Sequence, residues 1–89
     1  MFIEIVTPDE KVFEGEVDSA TFPGSDGSFQ VLNNHAPMIS TLGKGDMKFI
    51  QTIEKKVKET HMLVEGGTVE VLNNKVTVLA EKIHGDEEG

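Results

Sequence analysis

Cysteine is absent from this 89-residue chain, and so are arginine, tryptophan and tyrosine. No cysteine means no disulfide framework, no thiolate metal site and no cysteine nucleophile. No arginine means no bidentate guanidinium fork for phosphates or base edges. Sixteen acidic residues against eight lysines give a formal charge of −8, which repels a phosphate backbone and disfavours nucleic acid and anionic membrane surfaces alike. Apolar runs reach only a few residues, far short of the roughly 20 that a spanning helix needs. The opening Met1-Phe2-Ile3-Glu4 has no basic segment ahead of an apolar one, so neither a signal peptide nor direct membrane insertion is expected, and the chain reads as soluble. No Pro/Ser-rich linker divides the sequence. One domain over residues 1–84 is expected, followed by an acidic tail at 85–89 in which Asp86-Glu87-Glu88 is solvated.

What is present reads as β structure. Val69/Val71 and Val76/Val78/Ala80 alternate with period two, which puts apolar groups on one face of an extended segment. Val, Ile, Thr and Phe dominate the apolar positions, and turn residues recur at the spacing of a sandwich or barrel. Strands are expected at Phe2–Thr7, Lys11–Phe13, Val17–Phe22, Phe29–Leu32, Met38–Leu42 and Asp46–Thr52. A closing hairpin, Thr68–Leu72 and Lys75–Ala80, turns on Asn73-Asn74, because asparagine tolerates left-handed backbone. Val17–Phe22 should place Ala20 and Phe22 on one face. Residues 53–59, Ile-Glu-Lys-Lys-Val-Lys-Glu, have helix-pair charge spacing, yet seven residues cannot hold an isolated helix. Flanking strand signals favour a long hairpin there. Val-Leu-Asn-Asn occurs at 31–34 and at 71–74 without matching flanks, which reads as one strand-then-turn solution used twice.

Chemistry is hard to find. His35, His61 and His84 are far apart in sequence and form no metal-ligand pair, so no metal and no cofactor are expected. Gly24-Ser25-Asp26-Gly27 lacks the Gly-Lys-Ser/Thr ending of a phosphate loop and reads as a hairpin turn. Gly43-Lys44-Gly45 fails likewise, and no Gly-x-Ser-x-Gly elbow exists. A non-catalytic protein is expected. The segment that does not read as a passive loop runs from Gly27 to Ile39. It sets Phe29, Val31, Leu32, Met38 and Ile39 around a turn with His35 and Pro37. Either Phe29 and Val31 are core and His35 caps the turn, or part of the set faces outward as a docking patch.

Residues 23–37, Pro-Gly-Ser-Asp-Gly-Ser-Phe-Gln-Val-Leu-Asn-Asn-His-Ala-Pro, closely resemble the motif of ATP synthase epsilon subunits, called delta in mitochondria. Ile5-Val6-Thr7-Pro8 with Phe13-x-Gly15-x-Val17 resembles the family's N-terminus. Gly66-Gly67-x-Val69-Glu70-Val71 with Val76-Thr77-Val78-Leu79-Ala80 resembles its close. The resemblance implies an all-β fold, a two-sheet β-sandwich of about ten short strands. It also implies a central-stalk role in the proton-translocating F-type complex, on the cytoplasmic side of the bacterial inner membrane, coupling the gamma subunit to the c-ring during ATP synthesis. By the same resemblance, His35, Ala36, Pro37, Met38, Ile39 and Ser40 face gamma, and Asp26, Gly27, Ser28 and Phe29 face the c-ring. Three departures are notable. Ser28 stands where many relatives have an acidic residue, and Gln30 replaces a common glycine. The sequence given ends at Gly89, without the C-terminal helical hairpin of many bacterial relatives, so the inhibition and ATP site carried there are not expected. The alternative from the residues alone is a freestanding β-sandwich that binds a protein or ligand, but the lack of Trp and Tyr gives it no aromatic platform.

Overall fold

The computed structural model describes residues 1–84; the acidic tail expected at 85–89 lies outside them. Every regular element is a strand: β1 Phe2–Val6, β2 Lys11–Glu16, β3 Ser19–Gly24, β4 Gly27–Leu32, β5 Met38–Ile53, β6 Lys56–Leu72 and β7 Lys75–His84. They form one hydrogen-bonded sheet in the order β2-β1-β7-β6-β5-β3-β4. All neighbours are antiparallel except β1 and β7.

That sheet cannot be flat. β2 and β5 stand four places apart, about 19 Å in a flat sheet, yet Phe13 of β2 packs on Phe49 of β5 with ring centroids 4.6 Å apart. The backbone closes the same corner: the Val17 amide donates to the Met1 carbonyl (2.8 Å) and the Asp18 amide to the Ile50 carbonyl (2.7 Å). The sheet is folded over itself into the two layers of a β-sandwich. Between the layers lie Ile3, Ile5, Phe22, Val31, Met47, Phe49, Val64, Val69, Val71, Val76 and Val78, all fully buried, with Ala20 beside them.

The fold line is written in parity. In β5 the inward residues are Leu42 and then Met47 and Phe49; in β6, Met62 and Val64 and then Val69 and Val71. In β7 they are Val76, Val78 and Ala80, and then Ile83, which packs against the core. Side chains alternate faces with period two. Each odd gap therefore means one residue out of phase at Gly43–Gly45, at Gly66–Gly67 and at Glu81–Lys82. Because all three strands lose phase together, the pairing register is the same on both sides of the bend, from Met38↔Val71 to Ile53↔Lys56 between β5 and β6, with only the Gly43–Gly66 position skipped. Glycine is needed on this line: Gly67 has φ +130°, and a Cβ on it would sit 2.2 Å from the Leu79 carbonyl oxygen.

These bends are where the sequence reading differed. Gly43-Lys44-Gly45 bends a strand and does not end it, so Met38–Leu42 and Asp46–Thr52 are halves of β5. β6 likewise runs from Lys56 through the two glycines to Leu72. Seven continuous strands in one folded sheet therefore stand where about ten short strands in two sheets were expected, because three of the strands bend where the sequence suggests that they end. Residues 53–59 form a hairpin. Glu54 and Lys55 make its turn with φ of 53° and 70°, and Asn73-Asn74 turn the next one with 53° and 62°, the left-handed pair that suits twisted strands.

Candidate partner-docking surfaces

The Gly27–Ile39 set divides between core and surface. Val31 is fully buried and Phe29 is half-buried, tilted against Phe22 with centroids 5.5 Å apart. Leu32 is 52% exposed and Ile39 is 74% exposed, the most exposed large apolar side chain among the described residues. Period two explains the split: Val31 points between the layers, so its neighbour Leu32 must point away. Met38 is half-buried and packs against the core.

Pro37, Met38 and Ile39 of the chain entering β5, with Glu70, Val71 and Leu72 of β6, line a shallow groove of about 410 Å³. Cross-strand pairing builds it, with Met38 opposite Val71 and Ile39 opposite Glu70. Leu72, 48% exposed, closes one end. His35 is engaged locally: its amide donates to the Leu32 carbonyl (3.2 Å) and its Nδ1 to the Ala36 carbonyl (2.8 Å), so it shapes the turn that presents Pro37. Ala36 is exposed, and the Ser40 hydroxyl donates to the Thr41 carbonyl (3.2 Å).

The second group sits at the other end of β4. Asp26, Gly27 and Ser28 are exposed around the β3–β4 turn, whereas Phe29 anchors that turn to the core. A six-residue strand separates the two groups by about 17 Å. Chain folding nevertheless joins them. The Ser25 amide donates to the Thr41 carbonyl (3.1 Å) and the Thr41 hydroxyl to Ser25 Oγ (2.9 Å). Thr41 is two residues from Ile39, so the turn is clasped to the strand that carries the groove.

The β6 wall of the groove, Glu70 to Leu72, was missed from sequence because nothing local marks it as Ile39's neighbour. One signal was available: from Gly27 to Gly43, seventeen residues contain no Asp, Glu or Lys, in a chain that is 27% charged. Charge depletion of that kind marks the centre of an interface.

The remaining ionisable groups lie elsewhere. On the β5–β6 hairpin His61 joins two carboxylates, Nδ1 to Asp46 (2.7 Å) and Nε2 to Glu59 (2.6 Å). The hydrogen bond to Asp46, then that to Glu59, hold its pKa above the ordinary 6.5. His84 Nε2 meets Glu65 at 2.5 Å. Among the described residues no group of three or more His, Cys, Asp or Glu could hold a metal ion. The arrangement offers surfaces for binding.

Residues 1–85 match the family described as ATP synthase, Delta/Epsilon chain, beta-sandwich domain. The ATP synthase epsilon chain of Maridesulfovibrio salexigens is 48% identical over 82 residues, covering 91% of this chain and 54% of that one. The epsilon chain of Leptospira borgpetersenii is 41% identical over 83 residues, covering 93% and 61%. The chain thus spans between half and two-thirds of the length of these relatives. Among solved structures, the central stalk/c-ring of the Tetrahymena thermophila mitochondrial ATP synthase contains a chain that superposes with a TM-score of 0.75 at 15% identity. That match covers 93% of this chain and 64% of the other. A chain in the Euglena gracilis mitochondrial ATP synthase OSCP/F1/c-ring structure gives 0.80 at 20% identity, covering 92% and 51%. At such identities the structural likeness shows the fold, and the sequence match shows the family.

Proposed function

The chain belongs to the ATP synthase delta/epsilon family through its β-sandwich domain, and from that premise we propose that it is a non-catalytic rotor component of an F-type ATP synthase. In this reading it joins the gamma subunit to the membrane c-ring, on the cytoplasmic side of the bacterial inner membrane, during ATP synthesis. The groove of Pro37, Met38, Ile39 and Leu72 receives gamma, with His35, Ala36 and Ser40 forming its approach. Asp26, Gly27 and Ser28 meet the polar loops of the c-ring, with Phe29 holding the turn in place.

The observation that carries the reading is the exposure of Ile39, 74%, in a chain segment without charged residues, beside a groove whose one charged lining residue is Glu70 of β6. Apolar area of that kind gains free energy only when covered. The surrounding charge of −8 steers a basic partner towards it. Ser28, neutral where an acidic residue is common in relatives, makes the ring contact one of hydrogen bonding. Mixing the purified chain with its cognate gamma subunit tests the reading: a 1:1 complex at micromolar concentration is expected. Absence of any complex at that concentration overturns it.

A further inference from the structure

The sheet has two edges, and they are protected very differently. β2 carries Lys11, Glu14 and Glu16, and its Lys11 ammonium bridges Glu4 (3.5 Å) and Glu14. Charged side chains of this kind keep other strands from pairing along an edge. β4, at the other edge, reads Gly-Ser-Phe-Gln-Val-Leu and has no charged residue, no proline and no register shift against β3. Among the described residues its only strand neighbour is β3. In an antiparallel ladder alternate residues turn their amide and carbonyl away from the partner strand, so about half of β4's backbone groups point away from β3, and among the described residues the one of them with a backbone partner beyond the sheet is the Leu32 carbonyl, which accepts from the His35 amide.

Two further observations say what covers this edge. A five-residue loop, Asn33 to Pro37, joins β4 directly to the groove, and the whole path from Gly27 to Gly43 is uncharged. Whatever occupies the groove can continue along β4 without meeting a like charge. The rest of the chain, at −8, repels a second copy of itself and draws a neutral or basic segment.

We propose that β4 accepts an extended, neutral-to-basic segment of the groove's occupant as an eighth strand, with main-chain hydrogen bonds along its groove-proximal part, Phe29 to Leu32, supplementing the side-chain contacts in the groove. Outward-facing Gln30 and Leu32 then select the segment's side chains, as in other strand-addition interfaces, and Ser28 is left to the ring contact. The inference rests on the rotor reading and deepens it by naming how the partner is held.

Amide hydrogen exchange on the full chain, free and bound to purified gamma subunit, tests it. Alternate amides between Phe29 and Leu32 should slow by about tenfold or more in the complex. Gln30→Lys should weaken the complex by about tenfold, with Gln30→Thr close to the parent. A complex that forms while these amides exchange as in the free chain overturns the inference and leaves the rotor reading intact. Failure to form any complex overturns both. Protection that appears in the free chain on concentration would assign the edge to a second copy and overturn the proposed occupant.

Discussion

Replacing Ile39 with aspartate separates docking from folding. In the free domain Ile39 is 74% exposed and its side chain adds little to the core. The change should therefore cost less than about 1 kcal/mol of folding stability, most of it from the poor strand propensity of aspartate. In the complex the balance differs. Fully burying an isoleucine is worth about 1.5–3 kcal/mol, and roughly three-quarters of that is still available here, so about 1–2 kcal/mol of binding is lost with the side chain. A carboxylate forced under the partner without a counter-charge adds about 2 kcal/mol or more. Together these give a loss of about a hundredfold or more in affinity. Urea unfolding of the variant, with calorimetric titration against gamma, reads both quantities. Ile39→Asn repeats the experiment without the charge and should fall in between. Met38→Asp is the contrast: Met38 packs against the core, so that variant should lose about 2 kcal/mol or more of folding stability. Unfolding of Ile39→Asp, or unchanged affinity with the fold intact, would refute the assignment of this groove.

Three other perturbations follow from the fold. Glu54 and Lys55 occupy left-handed backbone that asparagine and glycine adopt readily, so Glu54→Asn combined with Lys55→Gly should raise stability by about 1 kcal/mol in urea unfolding. Gly27 and Gly67 share nearly the same φ, +128° and +130°, but a Cβ meets nothing within 4 Å at Gly27 and backbone oxygen at 2.2 Å at Gly67. Gly27→Ala should thus cost about 1–2 kcal/mol and Gly67→Ala about 3 kcal/mol or more, and equal losses would contradict the packing at the bend. His61 is the pH-sensitive contact. Because its folded pKa is raised above the ordinary 6.5, its bonds to Asp46 and Glu59 stabilise the fold fully below that value and are lost as pH rises through the folded value. The stability gap between the parent and His61→Gln should shrink towards alkaline pH, and an NMR titration of the imidazole should place its midpoint above 6.5, less so at high salt.

Strand identity was legible wherever side-chain chemistry and turn chemistry agreed. Asn73-Asn74 announced its hairpin because few residues accept two left-handed conformations in a row. Ala20 and Phe22 declared their shared face by simple alternation. The continuity of β5 and β6 was not legible, because Gly43-Lys44-Gly45 and Gly66-Gly67 look like strand ends. Whether a glycine pair ends a strand or bends it depends on whether its neighbours bend with it. That is decided across three strands and lies outside any local window. Residues 60–67 were silent for the same reason: His61 and Leu63 face solvent while Met62 and Val64 face the core, a pattern interrupted by the phase change that follows. Half of the candidate site could be read, since Pro37 to Ile39 lie in a recognisable motif. Glu70 to Leu72 could not, because they join the groove only through the β5–β6 register.

The two proposed contact surfaces belong to different layers of the sandwich, which raises the question of how a push on one is felt at the other. A small two-layer domain held only by apolar packing can shear, since dispersion and burial are indifferent to small sliding. This chain supplies directional links. β5, β6 and β7 each pass through both layers, so shear between the layers works against three covalent backbones whose pairing register is kept across the bend. At the opposite edge the Ser25–Thr41 pair of hydrogen bonds ties the β3–β4 turn to the groove strand two residues from Ile39. Force entering at Asp26–Ser28 therefore reaches the groove through a few stiff, hydrogen-bonded residues. In the rotor reading, the stiffness comes from the three strands that the two layers share, and the small core only has to keep the layers in contact.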